Sequence, residues 1–264
     1  MNLRESFAAG RADGRALLLP YGMAGLPDAD GSVDLFVAMA AAGADGFEVG
    51  IPYADPLMDG PVIQEAGTRS LAGGMTLTGG LEVARRVHDH TGLPCCVMTY
   101  VNPILRIGAA EFARRVADTG AEAIIVADLP VDEAGPFREA AIAAGIGLVA
   151  FAAPTTTEER LAMIAAWRPP FVYGISEMGV TGERTTSSNR AGGLVERIRA
   201  HTDAPVVLGV GISSPEAAHD AATIADGVIV GSALVRRVLE AESAGQAASS
   251  LERAVADLAA AMRR

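Results

Sequence analysis

Lysine is absent from this chain: all 21 basic positions are arginine. Without lysine a protein forms no lysine Schiff base, cannot hold pyridoxal phosphate covalently and lacks the cation of the usual P-loop. Long apolar runs are missing too; none approaches the ~18 residues that a membrane-spanning helix needs. The N-terminal stretch "MNLRESFAAGRADGR" is polar and carries no signal-peptide core. Cysteine is confined to the adjacent Cys95 and Cys96. On a strand, neighbouring side chains point to opposite faces, which predicts two buried thiols rather than a disulfide or a metal pair. A reducing cytoplasm fits that usage. Positive charge is scarce, with a formal net charge of -11 and a sequence pI of about 4.8. That balance argues against a nucleic-acid binder, which needs a basic footprint. It leaves room for one local anion site. The four histidines, His88, His90, His201 and His219, fall on helical patterns without metal-ligand spacing and read as solvated.

What the chain does have is alternation. Short apolar, β-branched runs recur between longer Ala-rich helical patterns. The runs are Ala16–Pro20, Gly46–Ile51, Pro94–Tyr100, Ala123–Leu129, Gly147–Ala152, Phe171–Ser176, Pro205–Gly211 and Gly227–Ser232. Continuously apolar strands predict burial on both faces, as in a parallel sheet. Eight strand–helix units over 264 residues predict an α/β fold, one (β/α)₈ TIM barrel spanning residues 1–264. An extra N-terminal helix and a short helix after the eighth strand complete it. The competing topology is an open doubly wound sheet. Against it, the first strand leads into "PYGMAGLP", not into a GxGxxG turn.

Active residues of such barrels gather at the C-terminal strand ends and in the loops beyond. Glu48 lies inside the apolar strand of "FEVGIPYADPLMDGP", with Asp55 and Asp59 in the loop that follows. Alternation sends Phe47 and Val49 one way and Glu48 the other, toward the barrel mouth. A partly desolvated carboxyl there rises in pKa toward the range useful for proton transfer. A salt-bridged structural acid is the plainer alternative, and for Asp59 it is an ordinary turn or N-cap aspartate. Tyr100, Asn102 and Tyr173 also sit near strand ends. Gly182, Gly211, Gly231 and Ser232 fall in the loops after strands six, seven and eight, where glycines and a helix N-terminus let backbone N–H groups approach a phosphate. Each glycine alone reads as a tight turn; together in those loops they point to an anion. Two carboxylates, a phosphate site and no lysine suggest acid–base chemistry on a small phosphorylated substrate.

The motifs "FEVGIPYADPLMDGP", "MTYVNP", "VADLP", "GVTGERT", "GVGI" and "GVIVGSALV" occur in order over nearly the whole chain. Together they resemble the α subunit of tryptophan synthase. The resemblance implies retro-aldol cleavage of indole-3-glycerol phosphate to indole and glyceraldehyde 3-phosphate. Glu48 and Asp59 take the family's catalytic positions, with Tyr173 beside them. Asp59 would accept the indole N–H, and Glu48 would handle the proton at C3 and remove the hydroxyl proton. Tyr21, Ile63, Met98, Tyr100, Ile125, Phe151, Thr181 and Ile229 fall where the family encloses its substrate. Gly182, Gly211, Gly231 and Ser232 match its phosphate positions. Pro52, Asp55, Pro56 and Asn102 fall where it docks a β subunit, in an α–β–β–α complex whose pyridoxal phosphate belongs to the β partner; this chain would hold no cofactor and no metal. The chain departs from the family at Met23 and Leu26, where Thr and Asp are common, and at Ala54, where Ser is. Two other readings use the same residues: a stand-alone lyase that releases free indole, and a weakly catalytic phosphate-binding activator. The presence of both Glu48 and Asp59 argues against the second.

Overall fold

The computed structural model of the protein describes residues 2–175, 184–209 and 211–263, with the side chains of 184–190 excepted. Nine short strands are found among them: β1 (Leu17–Met23), β2 (Phe47–Gly50), β3 (Cys95–Thr99), β4 (Ala123–Val126), β5 (Gly147–Leu148), β6 (Ala150–Ala152), β7 (Val172–Ile175), β8 (Val206–Gly209) and β9 (Gly227–Val230). All neighbours pair in parallel, in the order β5-β4-β3-β2-β1-β9-β8-β7-β6. The two ends of that order are consecutive in the chain, separated by Val149 alone. The sheet therefore closes on itself through the chain and forms the expected barrel. The fifth predicted strand is two pieces: β5 pairs with β4 and β6 with β7. The Val149 N–H donates to Ile124 O at 2.9 Å, so the backbone changes neighbour at this one residue.

The helices are α1 (Leu3–Ala12), α2 (Ala29–Ala41), α3 (Pro61–Ala72), α4 (Leu77–Thr91), α5 (Val101–Ile107), α6 (Ala109–Ala117), α7 (Gly135–Ala143), α8 (Glu158–Trp167), α9 (Arg184–Arg199), α10 (Pro215–Ile224), α11 (Ser232–Leu239) and α12 (Ala244–Ala261). Their starts carry local signals. Asn2 and Glu5 form a capping box on α1, Thr76 caps α4, Ser243 caps α12, and Pro61 and Pro215 occupy first-turn positions where a missing N–H costs nothing. The first strand runs three residues past its expected end at Pro20, because Tyr21, Gly22 and Met23 pair with Glu48, Val49 and Gly50. Several other strands stop short. Tyr100 is the N-cap of α5 and Ser232 begins α11, so neither is a strand residue.

Strand alternation divides the core in two. Phe47, Val49, Cys95 and Val97 pack outward against the helices. Leu17, Leu19, Cys96, Ile125 and Val207 fill the barrel interior. The adjacent cysteines therefore do face opposite ways, and both are buried free thiols. Helix α1 covers the N-terminal end of the barrel. Its Phe7 reaches the Phe171 ring, with centroids 6.0 Å apart. Burying a side chain of this kind contributes about 2 kcal/mol. Asp226 locks the same end: it accepts from Arg11 at 3.0 Å, from Arg199 at 3.2 Å and from the Val206 N–H at 2.9 Å. At the C-terminal mouth the interior opens into a cavity. The histidines are not all solvated. His88 is half-buried against Gly120 and its Nδ1 has no hydrogen-bond partner. His201 pairs with Glu158 at 2.7 Å, and His219 meets Ala261 O at 2.8 Å.

Candidate active site

Glu48 projects inward from β2 and is 4% exposed. Register places Tyr21 of β1 on one side of it and Cys96 of β3 on the other. Among the described residues no arginine pairs with it, and its Oε2 atom has no hydrogen-bond partner. Burial, aided by the charge of Asp59, pushes its carboxyl up to about 8. That direction favours the protonated carboxyl near neutral pH, and a salt-bridged structural acid would show the opposite shift.

Asp59 arrives from the loop after β2. Its N–H bonds to Pro56 O at 3.0 Å and its carbonyl accepts from the Gln64 side chain at 2.8 Å. The N-cap of α3 is Gly60, so Asp59 is not the capping residue and its carboxyl is left for the cavity. Burial raises that carboxyl to about 6, with the Tyr100 hydroxyl pulling it back. The Tyr100 hydroxyl itself makes no hydrogen bond of ordinary geometry.

Both carboxyls line one cavity of about 400 Å³ at the barrel mouth. Tyr21, Ile63, Met98, Phe151, Tyr173 and Ile229 form its largely apolar wall. Tyr173 stacks on Phe151, with ring centroids 5.0 Å apart. Burial drives the phenols of Tyr21 and Tyr173 well above their ordinary range, so both stay neutral donors. Gly211, Gly231 and Ser232 line it as well. Gly211 has φ 78°, a conformation that suits glycine. Ser232 opens α11, where its own N–H and that of Ala233 precede the first bonds of the helix, made by the Leu234 and Val235 N–H groups to Gly231 O.

Two expected lining residues lie elsewhere. Ile125 is sealed in the barrel interior, a layer below the cavity, because β4 points it into the packed core. Tyr100 lies behind Asp59 rather than on the cavity wall. Thr181 and Gly182 fall outside the described residues. Sequence reasoning missed Met58, Ala127, Ile175, Ile212, Ser213 and Ala233, which also line the cavity. Ser213 and Ala233 had a signal, since Ser213 follows directly on "GVGI" and Ala233 lies inside "GVIVGSALV", next to Ser232. On the outer rim Asp55 is exposed, Pro52 is buried and Pro56 half-buried. Asn102 donates to the Tyr53 hydroxyl at 3.0 Å, tying the loop after β2 to α5.

A family model described as Tryptophan synthase alpha chain matches residues 7–263. The chain belongs to the tryptophan synthase alpha chain family. As a member it is a lyase that cleaves indole-3-glycerol phosphate. The tryptophan synthase alpha chain of Thermobifida fusca is 44% identical over 264 residues, covering 99% of this chain and 97% of that one. That of Streptomyces coelicolor is 42% identical over 261 residues, covering 99% and 96%. Among solved structures, Mycobacterium tuberculosis tryptophan synthase superposes with a TM-score of 0.89 at 38% identity, covering 99% of this chain and 98% of that one. The family's barrel is thus the fold seen here. Among the described residues no cluster of His, Cys, Asp and Glu could hold a metal ion, and no helix is long and apolar enough to cross a membrane.

Proposed function

We propose that Glu48 and Asp59 carry the cleavage of indole-3-glycerol phosphate by shuttling a single proton. The observation that supports this most directly is the pairing of a buried Glu48, raised to about 8 and without a partner on Oε2, with a more acidic Asp59 in one cavity that Gly211, Gly231 and Ser232 also line. Phosphate binds through Gly211, Gly231, Ser232 and the first turn of α11, with Gly182 as a further contributor. Indole then lies along the apolar wall formed by Tyr21, Ile63, Met98, Phe151 and Ile229.

Glu48, as the acid, gives its proton to indole C3. The ring becomes a cation, and the Asp59 carboxylate accepts the ring N–H and stabilises that charge. The Glu48 carboxylate next takes the proton of the hydroxyl on the carbon attached to C3. That O–H pair becomes the aldehyde C=O as the C–C bond breaks, and its electrons return to the ring. Indole and glyceraldehyde 3-phosphate leave, and Glu48 is protonated again. Each positioned proton transfer contributes about 10²–10⁴-fold. Tyr173, kept neutral by burial, orients the substrate side chain by donating its hydroxyl.

The rim suits a protein partner. Leu57 and Met58 are 79% and 59% exposed, beside Asp55, Pro56 and Asn102. Large apolar side chains presented together on a rim mark an interaction site. We assign this rim to a tryptophan synthase β subunit, which would receive the indole and hold the pyridoxal phosphate. No cofactor takes part in the chemistry of this chain. The test is indole release from indole-3-glycerol phosphate, with and without a β subunit. A low rate that rises sharply with the β subunit supports the assignment. A high rate by the chain alone, unchanged by the β subunit, means a free-standing lyase.

A further inference from the structure

Tyr21 of the cavity wall spans from Gly231 to Gly50. Its Cβ and ring edge pass Gly231: a Cβ added at Gly231 would lie 3.6–3.8 Å from them, ordinary contact. Its hydroxyl end lies over Gly50 of β2, where an added Cβ would overlap the hydroxyl and two ring carbons. Gly50 is two residues beyond Glu48, hence the next inward-facing position on that strand toward the mouth. Register pairs Tyr21 with Glu48 itself. The ring thus crosses from β1 to β2 one rung above the carboxyl, and the missing side chain at Gly50 makes room for it. Among the described residues the hydroxyl meets a weak acceptor there, the Met23 sulfur at 3.8 Å.

We propose that Tyr21 is a positioning residue: its ring roofs Glu48 on the mouth side and keeps the carboxyl dry and protonated until substrate enters. The groups that face Glu48 are Tyr21 from β1, Cys96 from β3, Tyr173 from β7 and Asp59 from the loop after β2. The phenols and the thiol are pushed far above neutrality, so Asp59 is the one charge among them. Burial outweighs that charge in setting the acidity of Glu48. Removing the roof admits water and favours the carboxylate.

The experiment is a ¹³C NMR titration of the Glu48 carboxyl in the full chain, assigned by its loss in Glu48→Gln. It compares wild type with Tyr21→Phe, Tyr21→Leu and Tyr21→Ala, with folding checked by near-UV circular dichroism. Leucine preserves an apolar interior but does not reach Gly50, so it serves if the alanine variant fails to fold. Wild type and Tyr21→Phe should share a midpoint near 8. The Leu and Ala variants should fall by about one pH unit or more. The alkaline limb of kcat/KM for indole-3-glycerol phosphate should fall with them. Unmoved midpoints in folded Leu and Ala variants overturn the proposal. So does a Phe midpoint that falls with the others, since its ring is intact. The titration needs no substrate, so this proposal and the catalytic reading of Glu48 fail separately.

Discussion

Glu48→Gln should abolish cleavage and, at the same time, stabilise the protein in a pH-dependent way. The carboxyl is raised from 4.5 to about 8 by burial. Between those values the unfolded chain releases the Glu48 proton while the folded chain keeps it. The folded state then binds more protons, so stability falls as pH rises through that window. The slope is about 1.4 kcal/mol per pH unit for one group. From pH 5 to pH 8 the wild type should lose about 3 to 4 kcal/mol relative to the variant, whose amide does not titrate. The amide lacks partners as Oε2 does, at a cost of about 1–3 kcal/mol that is the same at every pH. The difference between the two curves therefore isolates Glu48, because Asp59 titrates in both proteins. Thermal unfolding at pH 5, 6, 7 and 8 reads it; at 2–4 °C per kcal/mol the gap in Tm should open by roughly 8 °C. Indole release, measured in parallel, should fall by at least about 10²-fold. Parallel stability curves would refute the buried, protonated Glu48. Substantial indole release by the variant would refute its catalytic role.

The kcat/KM profile should be bell-shaped, with apparent limbs near 6 and 8, since Asp59 must be ionised and Glu48 protonated; Asp59→Asn should cripple turnover and remove the acid limb. Asp55→Ala should spare indole release by the isolated chain and weaken capture of a β subunit in a pull-down; unchanged capture would remove Asp55 from the interface. Asp226→Ala should lower stability by about 2 kcal/mol in urea unfolding at pH 7, because it strands the buried Val206 N–H and frees Arg11 and Arg199. Burial alone would raise the Asp226 carboxyl, but Arg11, the Val206 N–H and Arg199 together hold it below its ordinary value. Its contribution is therefore present above about pH 4 and lost below it.

The barrel and the inward direction of Glu48 were both legible in the sequence, because each follows from a period. Continuous apolar runs between amphipathic helices force a two-sided parallel sheet, and alternation along Phe47-Glu48-Val49 leaves the acid only the inner face. That Gly211, Gly231 and Ser232 reach the cavity was legible too, since they follow strands at the C-terminal end of the barrel. Positions that depend on where a layer ends were not. Ile125 and Met98 both point inward, yet Met98 lines the cavity and Ile125 lies in the core beneath it. The switch at Val149 leaves no mark in "GLVAFA", because it depends on which neighbour each half can reach around a closed ring.

By itself, then, the sequence determined the chemistry that is excluded and the acids that are offered: without lysine there is no Schiff base, and Glu48 must face the mouth. Only the tertiary structure decided their protonation states. Acidity depends on what surrounds a group in space, and the neighbours of Glu48 come from β1, β3, β7 and the loop bearing Asp59, far apart in the chain. Folding strips water from Glu48, leaves its Oε2 without a partner and lays Tyr21 across the space that Gly50 leaves open. A residue written as an acid at position 48 thereby has its carboxyl pushed up to about 8.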